Sequence, residues 1–226
     1  MSEHVAIVVG AGGELGRATA EKLAAAGFTV AGIDRSEDGL KELPDGIRRE
    51  VADPVDPVSA RSVIDRIAAE VGPPEVLVNT IGMYHLGDAL SATQEDLRLM
   101  IDVNLGPALW LTQAMVPYLR ERGSGSIVHV AARQGLEPTA GMATYTVSKA
   151  ALVHLTRVLD LELRPLGIRV NAVAPQLLDT AKNRPYLTPD VLAHAVAPGT
   201  VADIIVYLVS DAAAPVSGAV VPAYGA

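Results

Sequence analysis

Seven short strand-like runs, six of them rich in β-branched and small aliphatic residues and most separated from the next by apolar residues at helical spacing, constrain the fold more than any other feature. They fall at 5–9, 28–33, 47–52, 75–79, 126–131, 168–174 and 219–221. A strand that returns to the same sheet through a helix runs parallel to its predecessor, and that crossover is right-handed in almost every protein. The stripe Leu15, Ala18, Thr19, Leu23 and Ala26, stopped by Gly27, is one such crossover helix. Val58, Ile64, Ile67, Ala68 and Val71, ended by Gly72-Pro73-Pro74, make another. Further helices are read within 36–43, from Thr93 toward Arg122, over 144–164, and around Val201, Ile204, Ile205, Leu208 and Val209. Hydrophobic residues make up 50% of the chain and aromatics only 4%, so the core must be aliphatic, as suits a sheet covered on both faces. The expected fold is α/β: one doubly wound domain over 1–226, a seven-stranded, mostly parallel sheet with helices on both faces. No linker, repeat or low-complexity stretch divides it.

The net charge of -8 argues against a nucleic-acid or acidic-membrane surface, since both require a concentrated basic patch. A small-molecule partner fits better. The absence of cysteine removes disulfides, thiolate zinc sites and a cysteine nucleophile together. His4, His85, His129, His154 and His194 show no ligand spacing, so no metal site is expected. Only Met1 to His4 precede the first apolar run, too few for a signal peptide, and no run nears the ~18 apolar residues of a membrane helix. A cytoplasmic protein is the expectation.

Between the first strand and its helix lies Gly10-Ala11-Gly12-Gly13-Glu14-Leu15-Gly16. A loop there can hold a pyrophosphate if it turns tightly, lets the backbone approach the phosphates and lets the helix pack close to the strand. The helix N-terminus then presents free N–H groups and its positive dipole end. Gly10, Gly12, Gly13 and Gly16 meet those needs, with Leu15 beside them. Asp34, ending the second strand, can accept hydrogen bonds from ribose hydroxyls and repel a 2′-phosphate, which favours NAD(H) over NADP(H). Arg35 follows and can pair with a phosphate. Asp53, after the third strand, reads equally as an adenine contact or a helix cap. Asn79 and Gly82 end the fourth strand at the carboxyl edge where open α/β sheets bind ligands.

Tyr145 and Lys149 stand four residues apart, on one face of a helix. An ammonium near a phenol favours the phenolate, so Lys149 is expected to lower the Tyr145 pKa from its usual ~10 and make it a general acid/base. Asn104, in the apolar segment Val103-Asn104-Leu105, needs partners for its amide. It reads either as a polar plug in a kinked helix or as the holder of a water or of the lysine.

Taken together, the Tyr145/Lys149 pair, the glycine loop, Asn79, Asn104 and Asn171-Ala172-Val173-Ala174-Pro175 resemble the short-chain dehydrogenase/reductase family, in its order and spacing over nearly the whole chain. The resemblance implies a Rossmann-type domain in which Tyr145 moves a proton while hydride passes between a nicotinamide and a carbonyl or alcohol carbon. It implies that Lys149 binds the nicotinamide ribose, that Asn104 extends the proton relay through a water, and that Pro175, Leu178 and Thr180 lie along the cofactor. It also implies a homotetramer or homodimer.

Departures from the family pattern are equally informative. Val9 replaces the usual threonine, and Glu14 a glycine of the loop, where it repels a pyrophosphate unless it points outward or caps the helix. Pro54 has no N–H to offer the adenine ring. Gln176 replaces the glycine that usually follows the proline. The family's catalytic serine falls at Ala132, which has no hydroxyl; losing an oxyanion donor typically costs on the order of 100- to 1000-fold in rate. Gln134, His129 or Arg133 can stand in, the substrate can be so electron-poor that no donor is needed, or the protein binds a dinucleotide without turning it over. Dihydropteridine reductases, which belong to the family, also lack this serine. Gly141-Met142 before Tyr145, and Leu178-Asp179-Thr180 with Asn183-Arg184, are similar to theirs. The reading is a reductase of a small quinonoid, imine-like or activated carbonyl substrate, with a catalytically silent dinucleotide-binding protein, acting through its oligomer or a partner, as the alternative.

Overall fold

The computed structural model describes residues 4–225. In chain order it contains β1 (Val5–Val9), α1 (Glu14–Ala25), β2 (Thr29–Asp34), α2 (Glu37–Lys41), β3 (Arg48–Val51), α3 (Pro57–Glu70), β4 (Pro74–Asn79) and α4 (Gln94–Asn104). These are followed by α5 (Gly106–Arg122), β5 (Gly125–Val130), α6 (Ala143–Leu163), β6 (Ile168–Pro175), α7 (Pro189–Leu192), α8 (Pro198–Val209) and β7 (Val220–Ala223). The strands form one seven-stranded sheet in the order β3-β2-β1-β4-β5-β6-β7. Every neighbouring pair is parallel, which tightens the expectation of a mostly parallel sheet.

The central strand β1 is apolar and buried throughout because both of its faces are covered, whereas the edge strand β3 (Arg48-Arg49-Glu50-Val51) is mostly exposed. Ala6, Val8, Val78 and Val128 face a core with Leu23 of α1 and Ile205 of α8. Their alternates Val5, Ile7, Val9, Leu77 and Ile127 face a second core with Ile64 of α3 and Met115 of α5. Each large side chain so buried contributes about 1.5–3 kcal/mol. Strand order reverses between β1 and β4, and that switch point opens a crevice at the carboxyl ends of the strands.

Local signals explain most boundaries. The Thr93 hydroxyl accepts the Asp96 N–H while the Asp96 carboxylate accepts the Thr93 N–H, a reciprocal cap that starts α4. Pro107, lacking an N–H, separates α4 from α5 at Leu105. At α3 the capping reading of Asp53 is corrected: Asp56 accepts the N–H groups of Val58 and Ser59. Asp53 instead folds back onto the Val55 N–H, because the cap must immediately precede Pro57 at the first turn. Among the described residues no helix is long and apolar enough to cross a membrane.

Candidate active site

The glycine loop is built to sit flat against the sheet edge. The N–H groups of Gly10 and Ala11 both donate to the Ile33 carbonyl, at 2.8 and 3.1 Å. Gly10 has φ +81°, and a Cβ there would lie 2.5 Å from the Thr80 hydroxyl. A Cβ on Gly16 would come 2.1 Å from the Gly10 carbonyl oxygen, so only glycine lets α1 start this close to β1. Asp34 is fixed by the loop: one carboxylate oxygen accepts the Gly12 N–H at 3.0 Å and the other the Ser36 N–H at 2.9 Å. Arg35 beside it is exposed. Glu14 is half-buried along the cleft, and its carboxylate accepts the Ala181 N–H at 2.7 Å, which ties the start of α1 to the segment after β6.

At the carboxyl edge the crevice becomes a cleft of about 900 Å³. Of the residues singled out in the sequence, Gly10, Gly13, Leu15, Gly16, Gly82, Tyr145, Lys149, Pro175, Leu178 and Thr180 line it. Gly12 and Asp34 flank it through their mutual hydrogen bond, while Asp53 and Arg35 are exposed beyond it. Asn79 is buried behind the lining with its side-chain oxygen on the Ile81 N–H at 3.1 Å. The lining also includes Met83, Tyr84, Met142, Tyr186 and Leu187, which add apolar surface to the cleft.

Lys149 is 3% exposed, and its ammonium donates to the Val130 carbonyl at 3.0 Å. Burial pulls its pKa down to about 8. Gly82 makes room for it: a Cβ there would meet the Lys149 Nζ at 2.8 Å and the Asn104 Oδ1 at 3.1 Å. The expectation for Tyr145 is corrected. Burial pushes its pKa up to about 12, and the lysine ammonium, engaged with Val130, does not offset that. Asn104, 1% exposed, accepts the Met83 N–H at 2.9 Å and donates to the Met83 carbonyl and the Ser148 hydroxyl, each at 2.9 Å. It thus clamps the loop after β4 to α4 and α6. Met83 carries no sequence signal, because it contributes only backbone from a loop 21 residues away.

Ala132 lines the cleft and is 5% exposed. Of the three neighbours that could replace a hydroxyl, only Gln134 lines the cleft. His129 is completely buried with neither ring nitrogen hydrogen-bonded, and burial together with the Lys149 charge lowers its pKa to about 4. Arg133 turns away to the Glu137 carboxylate at 2.7 Å. Among the described residues no three His, Cys, Asp or Glu side chains converge as metal ligands. A glycine cradle with no room for a Cβ at Gly10 or Gly16, a carboxylate held at its flank and a buried ammonium beyond it fit a dinucleotide laid across the switch point.

The family model described as short chain dehydrogenase matches residues 4–190. A 4-formylbenzenesulfonate dehydrogenase of Comamonas testosteroni is 30% identical over 242 residues, covering 96% of this chain and 95% of that protein. The 3-oxoacyl-[acyl-carrier-protein] reductase FabG of Escherichia coli strain K12 is 30% identical over 227 residues, covering 95% and 93%. Among solved structures, an actinorhodin polyketide ketoreductase variant with NADPH superposes with a TM-score of 0.92 at 26% identity, covering 100% of this chain and 98% of that one.

Proposed function

The chain belongs to the short-chain dehydrogenase family and is an oxidoreductase of the kind that uses a nicotinamide cofactor; from this we propose that it reduces a small, reactive acceptor at the cleft beside Tyr145. The observation that carries the proposal is the convergence on one cleft of half-buried Tyr145, buried Lys149 and Gly82, which leaves room for the ammonium. A bound reduced nicotinamide supplies the hydride. As the acceptor carbon gains that pair, the electrons of its double bond move to the oxygen or nitrogen, which takes a proton from the Tyr145 hydroxyl. With its pKa pushed up to about 12, Tyr145 holds that proton at neutral pH. Lys149, with a pKa of about 8, is mostly charged there and lines the same cleft. Asn104 holds the Met83 loop and α6 in register around both groups.

Gly10, Gly12, Gly13, Leu15 and Gly16 would hold the pyrophosphate end, and Pro175, Leu178 and Thr180 the opposite wall. Asp34 supports NAD(H) over NADP(H), since a 2′-phosphate would meet its carboxylate. A single domain over 1–226, a homotetramer or homodimer, and a cytoplasmic location belong to the same reading. Ala132 favours a quinonoid, imine-like or activated carbonyl acceptor, because such groups take hydride with less help at the heteroatom. It also favours the second reading, a silent dinucleotide-binding protein.

Steady-state oxidation of NADH and NADPH against quinonoid dihydropterin, activated ketones and quinones separates the two. The reductase reading expects turnover that falls about 100-fold or more in Tyr145→Phe. No turnover across the panel, with NADH still bound, would establish the silent binder.

A further inference from the structure

We propose that the side-chain amide of Gln176 donates a hydrogen bond to the substrate heteroatom that gains charge during reduction, supplying the donor that Ala132 lacks. The proposal rests on the reductase reading and identifies a further catalytic residue for it.

Val130 of β5 pairs with Val173 of β6, and continuing that register places Ala132 opposite Pro175 and Arg133 opposite Gln176 on the carboxyl edge, so Gln176 leaves its strand one position beyond Ala132. Both line the cleft with Tyr145. The Gln176 Oε1 accepts from the Arg133 Nη1 at 2.9 Å. A guanidinium has only donors, so the amide oxygen must be the atom facing Arg133. Arg133 lies behind the lining, held by the Glu137 carboxylate at 2.7 Å and stacked 4.9 Å from the centre of the Tyr224 ring. With its oxygen fixed on Arg133, the Gln176 amide has a set rotamer, and its Nε2 donates to no described residue. Two N–H donors on a residue that lines the cleft are therefore left for a ligand, held by a chain of contacts that does not involve the substrate.

Other polar groups of the lining are committed elsewhere or left loose. The Thr80 hydroxyl donates to the Val9 carbonyl at 2.8 Å, and the Asn183 amide to the Leu178 carbonyl at 2.9 Å. Lys149 is engaged with Val130. Gln134 reaches the same cleft, but no hydrogen bond orients its side chain. Preorganisation is what makes a donor effective at developing charge, because no reorientation is needed as the charge appears. Arg133 is, in this scheme, a positioning residue that acts through Gln176.

The test pairs turnover with an optical titration that needs none. 4-Nitrophenol, bound in the presence of NAD+, places an oxygen that can ionise where the substrate heteroatom would sit, and its absorbance reports the ionised fraction. In wild type the bound phenol should ionise more readily than in Gln176→Met or Gln176→Glu. The two variants should raise its apparent pKa by about two units and lower kcat about 100-fold with NADH affinity nearly unchanged. Arg133→Met should shift both readouts in the same direction by less. Ala132→Ser, added to Gln176→Met, should recover at least about tenfold of kcat. If both Gln176 variants leave the phenol titration and kcat within about threefold while Tyr145→Phe abolishes turnover, the Gln176 assignment falls and the reductase reading stands. The assignment also falls, with the reductase reading intact, if Gln134→Met and not Gln176→Met produces the losses. If no acceptor is reduced yet Gln176→Met still shifts the phenol titration, the donor assignment holds and the reductase reading falls.

Discussion

Replacing Lys149 by Met should make stability depend on pH in a way that reverses sign. The ammonium is 3% exposed, and its only described hydrogen bond goes to the Val130 carbonyl. Burial lowers its pKa from 10.5 to about 8, which at 1.36 kcal/mol per unit makes the charged form about 3 kcal/mol less favourable in the folded protein than in the unfolded chain. Below pH 8 both states are protonated and the penalty is fully present. Between about 8 and 10.5 the folded protein has released the proton while the unfolded chain still binds it, so the wild type gains stability as pH rises. Met removes the titration, fills the same space and leaves the Val130 carbonyl unpaired at a cost of about 1–2 kcal/mol that does not vary with pH. The variant should therefore be about 1–2 kcal/mol more stable than wild type near pH 7 and less stable near pH 10. Urea unfolding of both proteins at the two pH values, with m-values compared, measures the difference directly. Parallel pH curves would refute the argument, since they would mean that Lys149 reaches water in the folded state.

Two further outcomes follow from contacts around the glycine loop. Gly16→Ala forces a methyl into the Gly10 carbonyl and should cost about 1–3 kcal/mol in urea unfolding, together with a loss of NADH affinity in a fluorescence titration. Glu14→Ala releases the Ala181 N–H and should speed proteolytic cleavage within residues 176–198 while leaving the global urea midpoint nearly unchanged.

How far the sequence could be read depended on the reach of each interaction. β1, with Val5–Val9 buried throughout, was legible because a run of five apolar residues closed by glycine specifies a doubly covered strand. The start of the helix at Thr93 was legible for a similar reason: the residues that cap it lie within three positions of one another. The role of Asn104 was not, because the Met83 backbone that it clamps has no side-chain signature and sits across the cleft. The Tyr145 pKa was misjudged from spacing alone. An i,i+4 pair shares a face, but here the ammonium bends to Val130 and desolvation decides the shift. Gln176 stood out as a departure, yet only the fold brings Arg133 beside it to orient its amide.

The packing of α1 against α8 sets the moment at which the chain can become a folded protein during its synthesis. Leu23 and Ala20 of α1 share a core with Val201, Ile205 and Leu208 of α8, the last helix to be made. Without α8, α1 alone covers that part of the sheet, however early β1, β2 and β4 are in place. A nascent chain stalled before α8 would keep that aliphatic face open to water and to chaperones. The α1/α8 contact is therefore the one that closes this face of the sheet.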